Sequence, residues 1–216
     1  MGRLLSSCIG GQVGRRRLRS AAVQSPAFGV KRTSAERCEM TLHKRALSIL
    51  EYSLGSEHPR VGILLRDLAS LYNDQGRYLD AEPLYKRSLA ISEKALGPDH
   101  TDVADSLSAL AALFLSQGRN DDAEPLFKRA LEIGEKVLGP NHPAVAASLN
   151  NLATLYFNQR RYADVESSYK RSLTILEKGL GPDHPDVALS LNNLALVYTA
   201  QGRKKTLRRY RGVRSQ

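Results

Sequence analysis

The sequence predicts an all-α fold, a solenoid of stacked helical hairpins. Two observations carry that prediction. A short turn recurs as Gly55-Ser56-Glu57-His58, Gly97-Pro98-Asp99-His100, Gly139-Pro140-Asn141-His142 and Gly181-Pro182-Asp183-His184, each copy 42 residues after the last. Gln75, Gln117, Gln159 and Gln201 keep the same step, each followed two residues on by an arginine. Within every copy the apolar residues advance by four, three, one and three, which is one face of an α-helix. Fixed self-similarity of this length marks units that bury their apolar faces only on their neighbours.

The elements follow in order. Residues 1–37 are rich in Gly, Ser and Arg without a sustained period and are expected to be disordered. Three functional readings fit this leader. Arg15, Arg16, Arg17 and Arg19 with serines and almost no acid match a transit peptide. Met1-Gly2-Arg3-Leu4-Leu5-Ser6 fits the myristoylation pattern. Leu5-Ser6-Ser7-Cys8 resembles a lipoprotein cleavage box, but only Leu4 and Leu5 stand where an apolar core is required. An unstructured leader without a role is preferred over all three, because each pattern is short and permissive.

The ordered array is expected over 38–203. It opens with half a unit at 38–54, where His43-Lys44-Arg45-Ala46-Leu47 aligns with Tyr85-Lys86-Arg87-Ser88-Leu89. Units 55–96, 97–138 and 139–180 follow, and 181–203 is a closing half-unit. The first helix of each unit, helix A, carries Val61, Leu65, Leu68, Ala69 and Tyr72, repeated through Val187, Leu191, Leu194, Ala195 and Tyr198. Pro59, Pro143 and Pro185 suit its first position, where a missing N–H costs nothing. Gly76, Gly118 and Gly202 suit a left-handed cap. Arg160 takes that place in the third unit and predicts a strained turn. Helix B carries Ala81, Leu84, Tyr85, Ser88 and Leu89 and their copies. Pro83 and Pro125 are expected in its first turn. Gly134 falls mid-helix, at a cost of about 1 kcal/mol relative to alanine.

The pattern stops after Gly202. The basic stretch 204–216 places Arg211 where Tyr85 stands, so it is not a core helix. The last helix A therefore lacks its partner, and Val187, Leu191, Leu194 and Val197 are expected to form a partly uncovered stripe. Self-association through the uncovered helix 185–201 follows from that. The abrupt endings also fit a fragment of a longer array, a reading left open.

Charge locates the basic residues outside the array. The whole chain carries a net +10, yet 38–203 holds 18 basic and 21 acidic residues, a net of −3. A nucleic-acid-binding array would carry its basic stripe on the folded part. Nucleic acid is thus not the expected partner, and an adaptor using the basic tails on nucleic acid or an anionic membrane is the alternative. Two cysteines, Cys8 and Cys38, cannot build a disulfide framework. They fit a reducing compartment, hence a cytoplasmic location.

Leu65, Leu68, Ala69 and Tyr72, followed by Ala81, Tyr85 and Ser88, resemble the tetratricopeptide repeat. The Gly-Pro-Asp-His-Pro link, Leu191-Asn192-Asn193-Leu194-Ala195 and the run Ala123 to Leu131 are similar to its 42-residue, kinesin-light-chain-like form. The resemblance covers about Lys44 to Arg203. It implies a right-handed α-α superhelix, here of about seven antiparallel helices, with helix A lining the concave surface.

No catalytic residue, cofactor or metal site is expected. His58, His100, His142 and His184 sit in successive units, on the order of 15–20 Å apart given helix spacings of 8–10 Å. They cannot converge on one ion and are read as caps of helix A. No phosphate loop, Cys-x-x-Cys or clustered nucleophile and base occurs, so neither an enzyme nor a small-molecule substrate is expected. The inward positions that the resemblance implies are those of Asp67, Ala109, Asn151 and Asn193. The paired amides Asn150, Asn151, Asn192 and Asn193, with Thr154, Asn158 and Asn73, are the candidate groove. An amide offers donor and acceptor together and can grip an extended peptide backbone irrespective of its sequence. The competing reading is that these asparagines only stack the helices. The expected function is a non-enzymatic scaffold for a protein or peptide ligand, with Tyr72, Phe114, Tyr156 and Tyr198 holding the helices that present the groove.

Overall fold

A computed structural model of the chain describes residues 34–202. Among these there are eight α-helices and no strand: α1 Ser34–Leu54, α2 Pro59–Asp74, α3 Tyr78–Leu96, α4 Thr101–Ser116, α5 Asn120–Leu138, α6 Pro143–Asn158, α7 Tyr162–Leu180 and α8 Pro185–Ala200. The even-numbered helices are the A helices and the odd-numbered ones the B helices. The expected seven is one short, because a B helix, three A–B pairs and a final A helix sum to eight. Helix α1 begins at Ser34, ahead of the boundary at residue 38. The readings of the leader and of the basic stretch 204–216 otherwise lie outside the described residues.

Each A helix is started and stopped by local chemistry. The Nδ1 atoms of His58, His100, His142 and His184 accept the N–H of Arg60, Asp102, Ala144 and Asp186 at 3.2, 3.1, 3.2 and 3.2 Å. One otherwise orphaned donor at each start is thereby satisfied. Proline fills the first position of α2, α6 and α8. At the far end Gly76, Gly118 and Gly202 adopt φ of 71°, 75° and 69°. After Gly76, Gly118 and Arg160 the N–H of Arg77, Arg119 and Arg161 returns to the carbonyl of Tyr72, Phe114 and Tyr156 at 2.9 Å, the six-to-one bond of a Schellman cap. Arg160 makes the same turn with φ of 60°, the positive-φ non-glycine residue of the described chain.

The B helices start earlier than the sequence suggests, at Tyr78, Asn120 and Tyr162. Pro83 and Pro125 therefore lie inside helices rather than in their first turn. Each prolyl nitrogen leaves the carbonyl four residues back without its helical donor. Both prolines, with Leu79 and Asp121, are on the exposed side, so water can serve those carbonyls.

A continuous core runs along the array. Val61, Val103 and Val145, with Leu65, Leu107 and Leu149, lie between a preceding and a following B helix and are at most 4% exposed. Ala69, Ala111 and Ala153 are fully buried and let the helices approach closely. Gly62 serves the same end, since a Cβ there would come within 3.3 Å of the Ile91 side chain. Gly134 has no such constraint: its nearest neighbour would be Val145 at 3.7 Å, an ordinary contact. Gly134→Ala should therefore stabilise the array by about 0.5–1 kcal/mol, seen as a higher urea midpoint with an unchanged slope.

Ion pairs with the same period tie the units together. Arg87 pairs with Glu51, Arg129 with Glu93 and Arg171 with Glu135, at 2.7, 2.7 and 2.6 Å. A second series joins Arg119 to Glu82 at 3.1 Å and Arg161 to Glu124 at 3.0 Å. The Lys86 ammonium beside Glu82 and the Lys128 ammonium beside Glu124 hold both carboxyls below the ordinary 4.5, against the opposing effect of burial. A depressed folded-state value gives stability that is present above about pH 4.5 and lost as the pH falls through the folded value. The array should weaken on acidification below that point, and Glu82→Gln with Glu124→Gln should flatten the acid limb of a thermal-melt pH series.

Candidate ligand-binding groove

Curvature places the A helices on the inner side of the array. The backbones of α2 and α4, and of α4 and α6, approach each other, whereas successive B helices meet less. A helix-pair solenoid bends toward the side whose helices lie closer, so the A helices line the concave wall. Each A helix is anchored from behind by its buried aromatic ring. The guanidinium of the next arginine stacks on Tyr72, Phe114 and Tyr156 at 4.4, 4.1 and 4.2 Å from the ring centroid. Such stacking contributes on the order of 0.5–1 kcal/mol at an exposed site.

The 42-residue register sorts the predicted site residues into different surroundings. Asn151 and Asn193 are half-buried and occupy one column on consecutive A helices, in line with Asp67 and Ala109. Asn158 is exposed about two turns nearer the helix end. Asn150 and Asn192 belong to a neighbouring column that faces along the array. Its first member, Arg66 on α2, reaches Asp105 on α4 at 3.7 Å. Asn150 is half-buried with its Oδ1 enclosed and unpartnered, while Asn192 is exposed because no described unit follows it. Asn73 lies in the first complete unit, far along the array from the others. It shares a column with Leu115 and Phe157, both packed on the core, and its Oδ1 is enclosed without a partner.

Thr154 is engaged within the fold. Its hydroxyl donates to the Asn150 carbonyl at 3.0 Å and lies near the Tyr169 hydroxyl. Ser70 stands in the same relation to Tyr85. In the unit between them the pair is Ala112 and Phe127, so hydroxyl partners are present or absent together. Burial pushes the Tyr85 hydroxyl up to about 12 and raises Tyr169 as well, keeping both neutral.

The sequence reading missed the opposite character of the other half of the wall. Asp67 and Asp74 on α2 stand where α6 and α8 present Asn151, Asn193 and Asn158, and Asp102 and Asp105 on α4 add two more acids, of which α8 repeats one as Asp186. Although two thirds of the Asp105 side chain (66%) is open, the surrounding wall withdraws enough water to raise its carboxyl; Arg66 opposes the shift and Asp102 adds to it. The signal was available in the columns, once Arg66 and Asp105 were recognised as adjacent across the A helices. The inward column thus changes from Asp67 on α2 to Asn151 and Asn193 on α6 and α8, with Asp186 the acid that the amide end retains.

At the end of the array the expected stripe is differently placed. Val187, Leu194 and Val197 are 1–2% exposed, packed with residues of α7, and only Leu191 of the four is half-open. Those positions face the preceding B helix, which is present. The side of α8 that a following B helix would cover shows Ala188, Leu191, Asn192, Ala195 and Thr199 instead. Among the described residues no helix is long and apolar enough to cross a membrane, and no His, Cys, Asp and Glu cluster is arranged to hold a metal ion.

The comparisons with known proteins agree with this architecture. The family model described as tetratricopeptide repeat matches residues 41–94, 61–136, 102–178 and 145–206. No curated protein sequence matches the chain significantly. Among solved structures, BtubC (BKLC) from P. vanneervenii is 27% identical, with a TM-score of 0.70, covering 80% of this chain and 68% of that one. A kinesin-light-chain-like protein of Podosopora anserina, with nearly identical TPR-like repeats, is 26% identical with a TM-score of 0.70, covering 83% and 87%. The apo form of RapI shares the fold alone, at 16% identity and a TM-score of 0.65 over 80% of this chain and 46% of that one. The matched segments together run from residue 41 to 206, most of the 216-residue chain. The chain belongs to the tetratricopeptide repeat family, with kinesin-light-chain-like structural neighbours.

Proposed function

We propose that this array is a non-enzymatic scaffold that holds an extended protein or peptide segment along its concave wall. Tetratricopeptide repeats mediate protein–protein interaction, and the finer reading rests on one observation. Asn151 and Asn193 occupy the same inward column on consecutive A helices, so two amides meet a ligand at the spacing of the repeat. Each amide can accept from a backbone N–H and donate to a backbone carbonyl, which favours an extended chain over any one side chain. Asp67, and Asp105 beside Arg66, at the other end favour a ligand whose opposite end is basic.

Displayed twelve-residue random peptides selected on the full chain provide the probe. Asn151→Ala with Asn193→Ala should weaken the selected peptides by about tenfold or more, the loss of one or two net hydrogen bonds, with an unchanged helical circular-dichroism signal. Peptides that bind the double variant as well as the wild type would exclude the amide groove.

A further inference from the structure

The two ends of the described array are the two halves of one unit. Helix α1 is a B helix with no described A helix before it, and α8 is an A helix with no described B helix after it. Their open faces are the ones that cover each other inside every complete unit. Ile49 is 57% exposed, whereas Ile91, Ile133 and Ile175 at the same place are 2, 3 and 2% exposed. Leu42, which aligns with Leu84, is 59% exposed. On α8, Leu191 is half-open where Leu65, Leu107 and Leu149 are at most 4% exposed. Ala188 is exposed at the position of Gly62, the residue against which Ile91 packs.

We propose that copies of this chain associate head to tail, α8 of one copy packing on α1 of the next, so that residues 181–200 and 38–54 rebuild a complete unit across the junction. A solenoid needs polar terminal faces to remain single, and both of these faces expose apolar side chains that the complete units bury. The internal interfaces supply the docking geometry. Ile49 would seat on Ala188 and Leu191 as Ile91 seats on Gly62 and Leu65. Ala46 would meet Ala188 as Ala130 meets Ala104.

Charge continues through the junction in the same register. The Arg87–Glu51, Arg129–Glu93 and Arg171–Glu135 series has one unpaired member at each end, Arg45 on α1 and Glu177 on α7. Both are exposed and have no ion-pair partner among the described residues. Stacking α8 on α1 of the next copy sets them opposite each other, the next rung of the ladder. There are two mismatches: Glu39 stands where Ala81, Ala123 and Val165 are fully buried, and His43 stands where Tyr85, Phe127 and Tyr169 are at most 7% exposed. Such an interface is heterologous and does not close by symmetry, so it extends the superhelix rather than ending at a dimer.

Sedimentation equilibrium of the full chain over a concentration series tests this. The expected result is an average mass that rises with concentration and passes that of two chains. Ile49→Asp and Leu191→Asp should each stop growth, because either buries a carboxylate in the junction. An equimolar mixture of the two should give a complex of two chains and no more, since each variant keeps the end that the other lacks. Arg45→Glu and Glu177→Arg, both at exposed positions, should each weaken association, and the chain carrying both should regain it. Glu39→Ala should strengthen it by roughly tenfold. A wild-type chain that is monomeric at every concentration overturns the proposal. So does growth blocked by only one of the two aspartates, the mark of a like-to-like contact, or a mixture that stays monomeric.

Discussion

Phe127→Ala should destabilise the array by about 3–5 kcal/mol, the range for truncating a buried phenylalanine. Phe127 is 2% exposed and lies in the middle complete unit, between α4 and the units that flank it. Its counterparts Tyr85 and Tyr169 have Ser70 and Thr154 near their hydroxyls, whereas Phe127 is paired in register with Ala112 and offers packing alone. Truncation removes ring contacts that nothing else in that unit replaces. Stability in a linear array is close to a sum of unit and neighbour terms, so damage in the middle should also uncouple the two ends. Urea denaturation should show a lower midpoint together with a shallower slope, because less surface is exposed in the main transition. A loss below about 1 kcal/mol would mean that the units adjust to the cavity, contrary to a close-packed core. Tyr85→Phe is the natural control, expected to change stability by less than about 1.5 kcal/mol, the net worth of one hydrogen bond.

Gly139→Ala should cost about 1–3 kcal/mol, although no atom stands in the way. A Cβ on Gly139 would meet nothing within 4 Å. The penalty is entirely in the backbone, which sits at φ 87° and ψ 154° at the end of α5, a region essentially restricted to glycine. Gly97 and Gly181 hold the same conformation after α3 and α7, so each should respond alike. Arg160 supplies the opposite test. It occupies φ 60° where Gly76 and Gly118 serve the equivalent turns. Arg160→Gly should raise stability by a few tenths to about 1 kcal/mol, the relieved strain being partly offset by a freer unfolded chain. Thermal unfolding of the two variants side by side should move their midpoints in opposite directions. If Gly139→Ala is neutral, the link has another accessible conformation and the turn does not hold the period.

Much of this molecule is legible from residues close together in the chain. The 42-residue period, the alternation of A and B helices, the histidine caps, the left-handed glycines and the strain at Arg160 all depend on contacts within about a turn of helix. A copied unit also repeats its local chemistry four times, so accidental patterns cancel. The groove was harder to read. Asn150 and Asn151 are adjacent in sequence yet lie about 100° apart around a helix of 3.6 residues per turn. One faces along the array and the other inward, and a paired motif could not say which. Asn73 was grouped with the groove by residue type, although its column is filled by Leu115 and Phe157 in the next two units.

What the sequence by itself determined is the unit: its length, its two helices, its caps and its membership in a stacked array. What only the tertiary structure decided is how one unit lies on the next. That decided that Val187, Leu194 and Val197 are covered by α7 while Ala188 and Leu191 are left open. It also decided that Arg66 meets Asp105 across the A helices, and that Arg45 and Glu177 are the loose ends of one ladder. The physical reason is separation. Hydrogen bonds and caps are set by neighbours a few residues away, whereas the facing of a helix depends on packing between units 36 residues or more apart in the ladders, where rotation by one residue exchanges a buried side chain for an open one.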